Sequence, residues 1–216
     1  MEKIVIIGAG GFGREVKTII DALNMIENRF HFLGFYDDGI SKGTIVNGFP
    51  VLGNLNDLNS VEEEIGVALG IGNPITKYEI IKMLTNSFLY FPTLVHPSVI
   101  ISDDSVSIAE GGIICAGTIL TCNIKIDRFV TLNLLCTVGH DTIIADYSSF
   151  MPSVNISGEV HIDEKVYIGT GAKIINQLTI GASTIVGAGA VVSKSLPPFC
   201  TAVGIPAKPI KFHEAQ

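Results

Sequence analysis

His140 and Asp141 are adjacent in a part of the chain that carries few other charges. An imidazole exchanges a proton near neutral pH, so a histidine beside a carboxylate can act as a base toward an amine or a hydroxyl. A second set of residues lies near the start. In Gly8-Ala9-Gly10-Gly11-Phe12-Gly13, the residues Gly8, Gly10 and Gly13 match G-x-G-x-x-G, and Arg14-Glu15-Val16 lead into a helix-compatible segment. Glycines allow the tight turn, and the helix start offers free N–H groups and a positive dipole end to a phosphate. Asp37-Asp38 follow about 24 residues beyond the last glycine, the place where a dinucleotide enzyme binds a ribose. The alternative, that the glycines serve only a tight turn and the aspartates only a loop, stays open at this point.

The elements that must position these groups fall into two parts. Residues 1–88 alternate strand and helix patterns. Lys3 to Ile7, Phe32 to Tyr36 and Val67 to Ile71 read as buried strands, with Val51-Leu52 as an edge strand and Asn54 to Asn59 as a short helix. Asn73 as N-cap and Pro74 in the first turn start a helix that runs to about Asn86. This is a small α/β domain, too short for a full two-halved dinucleotide fold and suited to one nucleotide. Phe88 to Val99, with Pro92 and His96-Pro97, reads as the connection into the second part, residues 89–216.

That second part repeats. From Ile108 to Val192 every sixth residue is aliphatic or aromatic, fifteen positions without exception. A period of six fits neither a helix nor a simple strand. It fits a prism in which each side is a short strand plus a turn, three sides close a coil of about 18 residues, and the sixfold side chains stack inside. Fifteen positions make five coils. The residues two before each are mostly small or β-branched, Cys136 among them, and complete the inward set. His140 falls two residues after Val138, at an outward or corner position, which suggests a cleft against another subunit.

Bulk properties exclude several classes. A formal net charge of -7 argues against nucleic acid or an anionic membrane surface as partner. No apolar stretch approaches the roughly 20 residues of a membrane helix, and the first residues do not read as a secretory signal, so a soluble cytoplasmic protein is expected. Cys115, Cys122, Cys136 and Cys200 show neither zinc nor disulfide spacing and read as free thiols.

The repeat, with Ile168-Gly169, Ile180-Gly181 and Val186-Gly187 and the closing Val203-Gly204-Ile205-Pro206-Ala207-Lys208, resembles the hexapeptide-repeat acyltransferases. Fusion to a glycine-turn α/β domain is similar to the PglD/NeuD-like sugar acetyltransferases. The resemblance implies a left-handed parallel β-helix, acetyl-CoA as co-substrate, no metal, and homotrimers with sites between subunits. It implies acetylation of an amino group on a nucleotide-activated amino sugar by direct transfer, with O-acetylation of sialic acid or another sugar as the alternative. By the same carry-over His140 is the general base and Asp141 its electrostatic partner. Gly158 supplies the N–H for the oxyanion, and Thr170 and Ala188 line the pantetheine groove. Gly10, Gly11, Phe12, Asp37 and Asp38 take the nucleotide sugar. Ser149 stands where some relatives have a second histidine.

Three other readings are weighed. A metal enzyme on the same prism needs three converging histidines, whereas His161 lies 21 residues beyond His140 and Ala145 occupies the position five after it. A nicotinamide enzyme rests on the glycine motif alone. A non-catalytic nucleotide-sugar-binding module would keep the repeat but need no acid beside His140.

Overall fold

In the computed structural model, which describes residues 1–102 and 105–214, the first apolar run forms β1 (Glu2–Ile7) and leads into α1 (Gly11–Ile26). On α1 the buried residues Val16, Ile19 and Ile20 recur at helical spacing and face the sheet. Then come β2 (Phe30–Tyr36), β3 (Ile45–Val46), β4 (Phe49–Gly53), α2 (Leu55–Asn59), β5 (Ile65–Leu69), α3 (Pro74–Met83) and β6 (Leu89–Tyr90). The sheet order is β3-β4-β2-β1-β5-β6, parallel except for the β3–β4 hairpin. Asn47 and Gly48, both with positive φ, turn that hairpin as an Asn-Gly pair does. Asn54 caps α2 through a capping box, and Asn73 caps α3 by accepting the Thr76 N–H at 3.0 Å with Pro74 at the first turn.

The second part is a parallel β-helix with three faces. Face one runs from Leu94–Val95 to Cys200–Val203, face two from Ile100–Ile101 to Val191–Val192, and face three from Val106–Ile108 to Thr179–Ile180. Neighbouring strands of a face are one coil apart, as in Thr137↔Asn155↔Lys173 on face two. All the sixfold residues from Ile114 to Val192 are buried, and Ile108 packs against the same core from its end. The corners explain how two-residue strands close a triangle. From Gly111 to Gly189 every sixth residue has a φ between +55° and +73°, including Asn123, Asp141 and Glu159. Such a left-handed residue reverses the chain at each corner, at some cost wherever it is not glycine.

The solenoid is longer than the sequence period predicts. Face-one strands at Leu94, Ile113, Thr131, Ser149, Tyr167 and Ile185 each begin a coil, so there are six where five were expected. Seven residues rather than six separate the partly buried Ile101 from Ile108, which breaks the phase and hides the first coil. The expected connection from Phe88 to Val99 is therefore mostly structured. Leu89–Tyr90 pairs with Ile65–Gly66 in the first sheet, and Leu94–Val95 already pairs with Ile113–Ile114. A closing strand, Lys208–Phe212, runs antiparallel to Cys200–Val203. Among the described residues no helix is long and apolar enough to cross a membrane.

The α/β unit sits on face one. Leu94, Ile113 and Cys115 share an apolar cluster with β1 and α1, and Phe129 and Tyr147 share another with α3 and its neighbours. Between α3 and the prism the Nζ of Lys77 donates to the Phe129 carbonyl at 2.6 Å, the Thr131 hydroxyl at 3.2 Å and the Ser148 carbonyl at 3.3 Å. Ser149 lies on the same face, with a buried hydroxyl that has no partner among the described residues.

Candidate active site

His140 lies on the corner between Thr137–Val138 of face two and Ile143–Ile144 of face three. In a three-sided prism that edge is opposite face one, which carries the chain's own α/β unit. The imidazole is exposed, and its Nδ1 lies 2.7 Å from Oδ2 of Asp141. Asp141 reaches this position from the left-handed corner residue itself, with φ 58°. Its second oxygen, Oδ1, accepts from the Asn123 side-chain amide at 2.9 Å, one coil earlier. These contacts, that with His140 first and that with Asn123 next, hold the Asp141 carboxyl below its ordinary range. A carboxylate accepts only, so in the neutral imidazole Nδ1 carries the proton and Nε2 has the lone pair.

That free nitrogen hangs over Gly158, one coil further on. A Cβ built on Gly158 would lie 2.4 Å from Nε2, so only a residue without a side chain fits beneath the ring as it stands. The Gly158 N–H has no acceptor among the described residues, and the residue is buried beneath the ring. Gly139 is a second requirement, one that no local motif in the sequence marks. A Cβ there would come within 2.6 Å of the Gly158 nitrogen, so the two coils close against each other backbone to backbone.

Thr170 and Ala188 do not join this group in one chain. Both are exposed on the next edge, between faces one and two, with the Thr137-Asn155-Lys173 row of face two separating them from His140. Across that row the Asn155 amide donates to the Thr137 hydroxyl at 2.9 Å, and the Lys173 ammonium donates to the Asn155 side-chain oxygen. Ser149 lies on face one beneath the α/β unit, away from His140. His161 is exposed on face three and pairs with Asp163 at 3.1 Å. Among the described residues no three His, Cys, Asp or Glu side chains gather as metal ligands.

The glycine turn separates into two kinds of residue. A Cβ on Gly13 would lie 1.8 Å from the Gly8 carbonyl oxygen, and Gly8 itself has φ 95°, so these two are required by the backbone. Gly10 and Gly11 face open space at the start of α1, exposed and without a side-chain cap, while Phe12 is partly buried against the α1 core. Asp37 closes the turn: Oδ2 accepts from Ala9 N–H at 2.8 Å and Oδ1 from Gly39 N–H at 2.8 Å. Asp38 accepts from Leu55 N–H at 3.0 Å, at the first residue of α2. Gly8, Asp37 and Asp38 line a cavity of about 300 Å³ with Thr76 and Glu79, at the carboxyl ends of the strands where open α/β sheets bind ligands. Gly10, Gly11 and Phe12 lie outside it.

Comparison with known proteins agrees with both halves. Residues 3–84 match the model of the PglD N-terminal domain. The GDP-perosamine N-acetyltransferase of Escherichia coli O157:H7 is 32% identical over 184 residues, which is 85% of this chain and 82% of that protein. The chain belongs to the PglD-like hexapeptide-repeat acetyltransferases. Two solved members of this kind superpose over nearly the whole chain. The acetyltransferase domain of PglB from Neisseria gonorrhoeae FA1090 in complex with acetyl coenzyme A is 32% identical, with a TM-score of 0.87 over 97% of this chain and 99% of that one. PerB from Caulobacter crescentus in complex with CoA and GDP-perosamine is 28% identical, with a TM-score of 0.87 over 98% of each. The prism is thus the left-handed β-helix of these acetyltransferases.

Proposed function

We propose that this chain transfers the acetyl group of acetyl-CoA to the amino group of a nucleotide-activated amino sugar, with His140 as general base. The observation that carries the reading is the position of the His140 Nε2, held by the Nδ1–Asp141 contact above Gly158, whose missing side chain leaves it room. As the acceptor nitrogen attacks the thioester carbon, Nε2 takes its proton, and the carbonyl oxygen becomes an oxyanion for which this reading makes the Gly158 N–H the donor. The intermediate then expels the CoA sulfur, which leaves as a thiolate and regains the proton from the imidazolium. No acyl-enzyme forms. The names of the relatives support both substrates, GDP-perosamine for one and acetyl coenzyme A for another.

The acceptor belongs to the α/β unit, with its nucleotide at Asp37, Asp38 and the Gly10-Gly11-Phe12 turn, while Thr170 and Ala188 line the groove for the pantetheine arm. His140 is on the edge opposite its own α/β unit, so the base of one copy works on a sugar presented by another. A homotrimer packed by its flat faces satisfies this and brings the Thr170 edge of one copy toward the His140 edge of the next. Both substrates are cytoplasmic metabolites, which makes the cytoplasm the expected location. The division of labour is the α/β unit, through Leu89–Tyr90, for the sugar and the β-helix for the acyl donor.

The test is CoA release from acetyl-CoA with a panel of UDP-, GDP- and dTDP-amino sugars and sialic acid, for the wild type and His140→Ala. Stimulation by one amino sugar and its loss in the variant are expected. Full activity of His140→Ala, or no acceptor that stimulates release, overturns the reading.

A further inference from the structure

Asp141 has one methylene between its carboxylate and a backbone fixed at φ 58°, and it is half exposed. Apart from the imidazole itself, no side chain of its own corner bonds the carboxylate among the described residues. The holding contact comes from the preceding coil, where Asn123 occupies the equivalent left-handed corner position, φ 55°, and donates its amide to Oδ1 at 2.9 Å. Asparagine suits this place twice, since it tolerates the left-handed backbone and its short amide ends at the height of the next coil. The following residue of the same column, Glu159, would repel Asp141, yet it accepts from the Gln177 amide at 3.2 Å on the coil beyond. Each carboxylate of the column is thus tied to an amide one coil away, Asp141 upward and Glu159 downward.

We infer that Asn123 is a positioning residue for the transfer reaction: through Asp141 it fixes His140 as the Nδ1–H tautomer with Nε2 free for the acceptor. The inference rests on the reading of His140 as base but concerns a different residue and has a readout that needs no acceptor. An imidazole in water favours the proton on Nε2, so the opposite tautomer has to be imposed by the Asp141 contact, and Asp141 has to be held to impose it.

The experiment compares wild type, Asn123→Ala and Asn123→Asp. Aspartate keeps the shape and the tolerance of a left-handed φ but cannot donate at neutral pH, so its unchanged melting temperature separates loss of the donor from loss of the corner. The 15N shifts of the His140 ring, assigned by comparison with His140→Ala, report the tautomer directly. Wild type is expected to be mainly Nδ1–H and both variants to move toward Nε2–H. In the acetyl-CoA assay kcat is expected to fall on the order of tenfold, part of the 10²–10⁴ that a general base supplies, with KM for acetyl-CoA within about twofold. If both variants keep the wild-type tautomer and kcat, Asn123 has no such role. Full activity of His140→Ala would instead remove the base assignment while the tautomer result stood on its own.

Discussion

The Nε2 atom of His140 lies where a side chain on Gly158 would have to begin, 2.4 Å from the position a Cβ would take. The atom that would be displaced is the far end of a side chain and not backbone, so the ring would move and the coil would not. Gly158 also has no left-handed φ to forbid alanine. Gly158→Ala is therefore expected to lower kcat by about 10²-fold, the scale of a misplacement near 1 Å, and to leave the melting temperature within about 2 °C of wild type. Circular dichroism melts beside the CoA-release assay check this. A large loss of stability would show that the glycine serves the coil instead.

Asp141 pairs with the ring of His140. Its carboxyl is held below the usual 3.8 first by His140 and then by Asn123. Because the folded value is the lower one, the stabilisation is present above 3.8 and is lost as pH falls through the depressed folded value. A carbon-13 titration of the Asp141 carboxyl should give a midpoint under 3.8 in wild type, raised more by His140→Ala than by Asn123→Ala. Asp141→Asn should lower kcat by about 10²-fold, because an amide can donate to Nδ1 and permit the wrong tautomer. A titration midpoint at or above 3.8 in wild type would show that the pair does not form in solution.

Much of this frame is legible in the sequence because solenoid packing is periodic: the inward column from Ile114 to Val192 writes itself into every sixth residue. The first coil is not legible, since one extra residue before Ile108 breaks the phase. The corner column is hidden for another reason. Its left-handed backbone is met by Phe129, Leu135, Tyr147 and Lys165 as well as by glycines, so geometry repeats there while residue type does not. Asn123 and Gly139 matter through neighbours one coil away, a relation visible only once the 18-residue register is fixed. The Asn47-Gly48 hairpin turn was available as a local signal. At the other end, the glycine motif does not reveal that the oxygens of Asp37 hold the turn itself, through the Ala9 and Gly39 amides.

The glycine turn offers a clean separation of architecture from binding. Gly13→Ala would force a Cβ to 1.8 Å from the Gly8 carbonyl, a backbone atom that cannot yield. It should destabilise the α/β unit by more than about 3 kcal/mol, seen as a lower midpoint in a denaturant melt. Gly10 has φ -71° and open space around it. Gly10→Ala should melt as wild type does, while binding of the nucleotide sugar, measured by calorimetry, weakens about tenfold as the methyl fills the approach to the α1 amides. Unchanged affinity would move the nucleotide away from this turn.

Lys77 joins the two halves of the chain at an energetic cost that depends on pH. It is 1% exposed, has no carboxylate partner among the described residues, and burial alone pushes its ammonium well below the ordinary lysine range. Between that lowered value and the ordinary 10.5 the unfolded chain binds the proton more tightly than the folded one, so this group makes stability rise with pH. Lys77→Ala should destabilise by about 3 kcal/mol, because it opens a cavity and leaves the Phe129 and Ser148 carbonyls and the Thr131 hydroxyl without their shared donor. Lys77→Met keeps most of the volume and cannot titrate. The melting temperature of wild type relative to Lys77→Met should therefore increase from pH 7 to pH 10. A difference that stays flat over that range would mean that the ammonium is solvated in the folded protein and that α3 does not seal the interface over face one.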